Sequence, residues 1–259
     1  MKILEAKNVT KIYGENAGAV YRALDSFDLE VEKGEFVVIM GPSGSGKTTL
    51  LQLLGTIDRP SAGQIWIDQE EVSQLNENQL ADFRRKRLGF IFQDFHLLDA
   101  LSLKENLILP MVLDKRPVDE IDRRCNQLAE SLGIAEVLHH RPFEVSGGQK
   151  QRTAAARALI HRPSLILADE PTGNLDSKSA HSLMESLQRL KTKEAGTVVM
   201  VTHDPATASY ADRVIFIKDG KAFQEVRSSG DRSHLYQQII HVQTVLGGGE
   251  GIDIPTARF

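Results

Sequence analysis

The sequence predicts an α/β fold with a parallel core sheet, and three apolar runs carry that expectation. Phe36-Val37-Val38-Ile39-Met40, Leu165-Ile166-Leu167-Ala168 and Thr197 to Val201 are short, rich in β-branched or aliphatic residues, and without a polar face. Strands buried on both faces read this way. The first run leads through a glycine-rich loop into Leu50-Leu51-Gln52-Leu53-Leu54, which reads as a helix start. The second leads to Asp176, where a helix begins whose apolar face is Ala180, Leu183, Leu187 and Leu190. A chain of 259 residues is long enough for one large domain of this class with a full core.

The loop after the first run, Gly41-Pro42-Ser43-Gly44-Ser45-Gly46-Lys47-Thr48-Thr49, describes a phosphate cradle. Its glycines permit a tight turn in which successive N–H groups point inward at anionic oxygens. The helix that follows adds the positive end of its dipole at the same spot. Lys47 supplies a mobile cation for the β- and γ-phosphates, and the Thr48 hydroxyl is a ligand for magnesium. The second run ends in Asp169-Glu170, at the carboxyl end of a parallel strand, where ligand crevices lie. Alternation along a strand sends these two carboxylates in different directions. One of them is then free to hold magnesium, usually through water, while the other faces an attacking water. Pro171 ends the strand at once.

A third cluster, Val145-Ser146-Gly147-Gly148-Gln149-Lys150-Gln151-Arg152, precedes an alanine-rich helix expected over Thr153 to Ile160. Ser-Gly-Gly at a helix N-terminus is again an anion site. One nucleotide has no evident need of two such sites, so the economical reading is that this one serves a nucleotide held by another copy of the chain.

With these residues the sequence resembles the ATP-binding subunits of ABC transporters, P-loop NTPases whose signature is Leu-Ser-Gly-Gly-Gln; Val145 stands here for the leucine. The resemblance runs from about Ile3 to Gly220. It implies one ABC ATPase domain over residues 1–220, in which an antiparallel β-subdomain flanks the parallel core and a helical subdomain at about 94–160 carries the signature. Residues 221–259 are a C-terminal extension. It further implies that Tyr13 stacks on adenine and that Gln93 touches magnesium and the lytic water while sensing the transporter. Asn174-Leu175-Asp176 matches the loop that crosses the dimer interface, and His203, in Val201-Thr202-His203-Asp204, matches the switch histidine near the γ-phosphate. Ser146, Gly147, Gly148 and Gln149 would complete the ATP site of a facing subunit. The expected cofactors are ATP and Mg2+, and the expected activity is ATP hydrolysis by a dimer that ATP holds together.

Composition agrees. A net charge of −4 gives no electrostatic reason to expect a nucleic-acid partner. The DNA-repair relatives of this ATPase carry long coiled-coil or zinc insertions between phosphate loop and signature, and here that interval is short. Cys125 is the only cysteine, so internal disulfides and thiolate metal clusters are excluded. No apolar run approaches the roughly 20 residues needed to span a bilayer, and Met1-Lys2-Ile3-Leu4-Glu5 turns polar too soon for a secretory signal. The expected location is the cytoplasmic side of the membrane, reached through a partner.

Further elements follow from local pattern. Ile3 to Val9, Phe27 to Val31 and Gln64 to Asp68 read as strands, with turns at Lys33-Gly34 and Ser61-Ala62-Gly63. Pro117 opens a helix with Val118, Ile121, Cys125, Leu128 and Leu132 on one face, and Gly133 closes it. Val214 to Ile217 is a strand ending in the hairpin signal Asp219-Gly220. Ser233 to Val245 has helical character, and the glycine-rich tail from Gly247 is expected to be mobile.

Within the family, Gly89 to Leu98, Ser146 to Arg152, Gly173 to Ser179, Val201 to Pro205, Val214 to Gly220 and Val245-Leu246-Gly247-Gly248 resemble the bacitracin-resistance (Bce-type) ATPases. Those proteins drive a large FtsX-like permease, defend against peptide antibiotics and often act with a sensor histidine kinase. Lipoprotein-release and macrolide-export ATPases share nearly all the catalytic motifs, and a cell-division ATPase that signals to cell-wall enzymes has the same active site. These stand as the alternatives.

Overall fold

The computed structural model describes residues 1–14, 20–194 and 196–247. In chain order these form strands β1 (Lys2–Tyr13), β2 (Tyr21–Glu32) and β3 (Phe36–Met40), helix α1 (Lys47–Leu54), strands β4 (Ala62–Ile67) and β5 (Glu70–Glu71), helix α2 (Glu77–Arg87) and strand β6 (Leu88–Phe92). Helices α3 (Leu103–Leu113), α4 (Val118–Ser131) and α5 (Gly147–Leu159) follow, then β7 (Leu165–Asp169), α6 (Ser177–Glu194), β8 (Val198–Val201), the one-turn α7 (Pro205–Ala208), β9 (Arg213–Lys218), β10 (Lys221–Arg227) and α8 (Arg232–Leu246).

The apolar runs do build one sheet, in the order β10-β9-β3-β8-β7-β6, with β10 antiparallel at its edge and the other neighbours parallel. Alternation divides each strand between two cores. Phe36, Val38 and Met40 face the cluster that includes α4, α5, α6 and α8, while Val37 and Ile39 face the cluster that includes α1 and the second sheet. β7, β8 and β9 divide in the same way, so all of β3 and most of its neighbours are buried. The second sheet, β2-β1-β4-β5, is antiparallel, as expected.

Register fixes where the chemistry gathers. Phe92 lies opposite Asp169, Asp169 opposite Val201, and Val201 opposite Ile39, so four parallel strands end in one row. The next residues along each strand are Gln93, Glu170, Thr202-His203 and, after Met40, Gly41.

Several local readings shift. β1 and β2 run well past the expected segments, through register irregularities that include Asn8 at φ +50°. Val118 was expected on the apolar face of α4 but is 70% exposed; it is the first helical residue after Pro117 and has no turn before it to bury it. Ile121, Cys125 and Leu128 are buried as expected, and Gly133 at φ +64° ends the turn. The alanine-rich helix starts at Gly147, not Thr153, because Ser146 and Gln149 form a capping box that outweighs the low helix propensity of two glycines. α8 covers the expected Ser233 to Val245; the expected mobile tail falls, beyond Gly247, outside the described residues. Among the described residues no helix is long and apolar enough to cross a membrane.

Candidate functional site

The phosphate loop sits between β3 and α1, on the row where the parallel strands end. Gly46, the residue before α1, has φ +105°, and a Cβ there would lie 2.4 Å from the Ala23 carbonyl oxygen, so only glycine fits. Having no side chain, it cannot cap the helix, and the first amides of α1 stay available to an anion. The Tyr21 hydroxyl donates to the Gly44 carbonyl at 2.8 Å, and the Gly220 amide donates to the Ser45 carbonyl at 3.0 Å, bracing the turn from two sides. Pro42, Ser43, Gly44 and Thr48 are exposed, Gly41 and Thr49 half-buried, and Ser45 buried with its Oγ unpartnered. Lys47 Nζ donates to the carbonyls of Gly41 at 2.9 Å and Pro42 at 2.8 Å. Burial lowers the proton affinity of this ammonium, against the pull of Glu170 and Asp169.

The two carboxylates do part company. Asp169 shares the parity of Leu165 and Leu167, which face the α1 side of the sheet. Burial, then the neighbouring charge of Glu170, pushes the Asp169 carboxyl up, and Lys47 opposes the shift. Glu170 adopts φ +45°, a left-handed conformation uncommon outside glycine and concentrated at functional sites. Its amide donates to the Val201 carbonyl at 2.9 Å, fixing the turn against β8. Its Oε2 accepts from the Thr202 hydroxyl at 3.0 Å, and its Oε1 lies 2.9 Å from His203 Nδ1. His203 therefore meets Glu170 directly, with the rest of its ring exposed.

Gln93 and the Asn174-Leu175-Asp176 loop are tied to one another. Gln93 Nε2 donates to Asn174 Oδ1 at 3.3 Å, and Asn174 Nδ2 donates back to the Gln93 carbonyl and to Asp94. Asp176 accepts from the Ser179 amide and hydroxyl at the start of α6. Ser146 and Gln149 hold each other across the first turn of α5, with Oγ accepting from the Gln149 amide at 3.3 Å and Gln149 Oε1 accepting from the Ser146 amide at 2.9 Å. Gly148 must be small, because a Cβ would lie 2.8 Å from Ser179 Oγ.

Tyr13 ends β1, cross-strand from Tyr21, with its ring under Lys11 Nζ and its hydroxyl donating to Asp58 at 2.9 Å. It remains partly exposed beside Thr49 of α1. Sequence reasoning passed over Thr202 and Gln151. Gln151, fully buried, donates to the carbonyls of Phe92 and Pro171, joining the signature helix to the ends of β6 and β7. Polar Gln151 and Thr153 on the buried face of an alanine-rich helix are the available signal.

The donors near the row suit a hard cation. Thr48, Gln93 and Asp169 offer only oxygen or amide groups, the kind magnesium accepts alongside phosphate and water. Among the described residues no three His, Cys, Asp or Glu side chains cluster as a metal cage. A cation beside Asp169 would also oppose the burial and the Glu170 charge that push its carboxyl up.

A phosphate-binding helix N-terminus between parallel strands, with two acids at the next strand end, defines a P-loop nucleotide hydrolase. The chain matches the family described as ABC transporter over residues 24–173 and belongs to that family, as an ATP-hydrolysing ATP-binding subunit. It is 52% identical over 249 residues to the "Bacitracin export ATP-binding protein BceA" of Halalkalibacterium halodurans, covering 96% of this chain and 98% of that one. It is 48% identical to the "Macrolide export ATP-binding/permease protein MacB" of Campylobacter jejuni over 221 residues, 85% of this chain and 34% of that protein. Among solved structures, a dimer of the ATP-binding cassette MJ0796 bound to ADP and Pi superposes with a TM-score of 0.79 at 39% identity, covering 86% of this chain and 98% of that one.

Proposed function

We propose that this chain is the ATP-driven motor of a transporter that protects its host from peptide antibiotics of the bacitracin kind. One observation carries the subtype. Similarity to the bacitracin-export relative takes in 96% of this chain, so it must include most of the segment after Gly220, whereas similarity to the macrolide exporter takes in 85%. The catalytic motifs are common to both, so the extension is what discriminates.

In the proposed cycle ATP binds the phosphate loop through the amides of residues 41–49 and Lys47, with Tyr13 against the adenine. A second copy then brings Ser146, Gly147, Gly148 and Gln149 onto the same nucleotide; the dimeric state of the MJ0796 cassette supports this. Thr48, with Gln93 and Asp169, would hold magnesium, which would supply charge neutralisation at the phosphate oxygens. Glu170 orients a water in line with the γ-phosphate and accepts its proton, and His203 and Thr202 hold the carboxylate in place. Positioning and charge neutralisation supply most of the catalysis. Departure of the cleaved phosphate removes the group that both copies share, and the dimer opens.

A permease needs a docking surface near Gln93. An apolar groove of about 300 Å3 lies between the core and the helical layer, lined by Leu88, Phe90, Phe92, Leu109, Pro110 and Leu113 and rimmed by arginines. It supports docking of a membrane permease segment; that the permease is FtsX-like and acts with a sensor histidine kinase rests on the resemblance to the Bce-type ATPases. Membranes from the native host carrying Glu170→Gln, extracted gently with ATP, should yield a permease with about ten spans and a large external domain. The same strain should become sensitive to bacitracin with unchanged macrolide tolerance. A four-span partner with unchanged bacitracin sensitivity would move the assignment to lipoprotein release or cell-wall signalling.

A further inference from the structure

The segment from His203 to Tyr210 holds the residue that meets Glu170, and it is spanned by α8. At one end, Gln243 Nε2 donates to the His203 carbonyl at 3.1 Å. At the other, the Arg232 guanidinium lies 3.6 Å from the Tyr210 ring centroid and its Nε donates to Ser209 Oγ at 2.9 Å. These two side chains are eleven residues apart on one helix, about 16 Å along its axis. Leu235, Ile239 and Val242 seat the helix in the same core cluster as Ala208, Tyr210 and Ala211. Asp204 caps α7 through the amides of Ala206 and Thr207, tying the start of the spanned segment together.

His203 is thereby bound on two sides. Its amide and Nδ1 reach the two carboxylate oxygens of Glu170, at 3.4 and 2.9 Å, and its carbonyl is held by Gln243. Burial of Leu235, Ile239 and Val242 keeps α8 in place without Gln243, so the amide adds direction where packing has already supplied adhesion. We infer that α8 is a brace for this segment and that Gln243 is a positioning residue, acting through the His203 carbonyl to set the contact between His203 and Glu170. The C-terminal extension, which carries none of the family's motifs, thus reaches His203, the partner of Glu170, through a directed hydrogen bond.

The inference rests on Glu170 and His203 acting as the reacting pair. Steady-state ATP hydrolysis by the full chain tests it with Gln243→Met, which keeps length and loses the donor, and Gln243→Lys, which restores a donor. Gln243→Met should lower kcat about three- to tenfold, the worth of one directed hydrogen bond, with KM for ATP and Tm essentially unchanged. Amides of residues 203–206 should exchange hydrogen faster in that variant, and Gln243→Lys should recover most of kcat. A Gln243→Met enzyme with normal kcat, or a Lys variant as slow as the Met variant, overturns the brace. If Glu170→Gln is inactive while Gln243→Met is normal, only the brace fails; if Glu170→Gln itself turns over normally, the reading beneath it fails.

Discussion

Two helix N-termini in this fold carry the same backbone donors and treat them in opposite ways. At α1 the preceding residue is Gly46, with no side chain to take the first amides, so they await an anion. At α5 Ser146 and Gln149 satisfy each other's amides in a capping box. The first end has nothing to displace when phosphate arrives; the second must loosen a cap worth about 1 kcal/mol. Nucleotide affinity should therefore reside in the α1 loop. The α5 end should engage only when a second copy presents it with a highly charged phosphate, which separates ATP from ADP. The supports differ too. The α1 loop is pinned through its backbone by Tyr21 and Gly220, whereas α5 is held by side chains, Gln151 to Phe92 and Pro171 and Gly148 against Ser179.

Three substitutions can break that contrast. The largest effect is expected from Gly46→Ala, which forces a Cβ against the Ala23 carbonyl and the Leu24 side chain at a φ unsuited to alanine. It should cost about 2–4 kcal/mol in denaturant unfolding and abolish ATP binding in calorimetry. Lys47→Ala should leave stability near normal and weaken ATP binding on the order of 100-fold, the worth of a charged hydrogen bond to phosphate. Ser146→Ala should cost about 1 kcal/mol of stability and leave ATP affinity of the isolated chain unchanged, while turnover falls roughly tenfold. Equal loss of ATP affinity from Ser146→Ala and Lys47→Ala would erase the distinction between the two ends.

What could be read from residues alone follows from how far each feature depends on distant partners. β3, β7 and β8 were legible because double-sided burial leaves no polar face to confuse the period. The phosphate loop was legible because its backbone demands small residues in a fixed pattern. The start of α5 was misjudged because two glycines argue against helix, while the cap that overrides them is a paired interaction. Val118 was misassigned because helical spacing gives a face but not the point where burial begins. Thr202, Gln151 and Gln243 escaped notice because their partners lie 32, 59 and 40 residues away and only tertiary packing brings them together. Tyr13, expected to stack on adenine, lies beside Thr49 of α1 with its hydroxyl bound to Asp58, a partner that local pattern does not name.

The central claim is that ATP is enclosed between the open α1 end of one copy and the capped α5 end of another, with Glu170 as the group that splits it. The most direct test is the solution mass of Glu170→Gln with saturating ATP and magnesium, measured by light scattering beside its turnover. The account predicts a doubled mass with ATP, a single-chain mass with ADP, and turnover reduced about 10²–10⁴-fold. A single-chain mass at saturating ATP, together with near-normal hydrolysis, would contradict it.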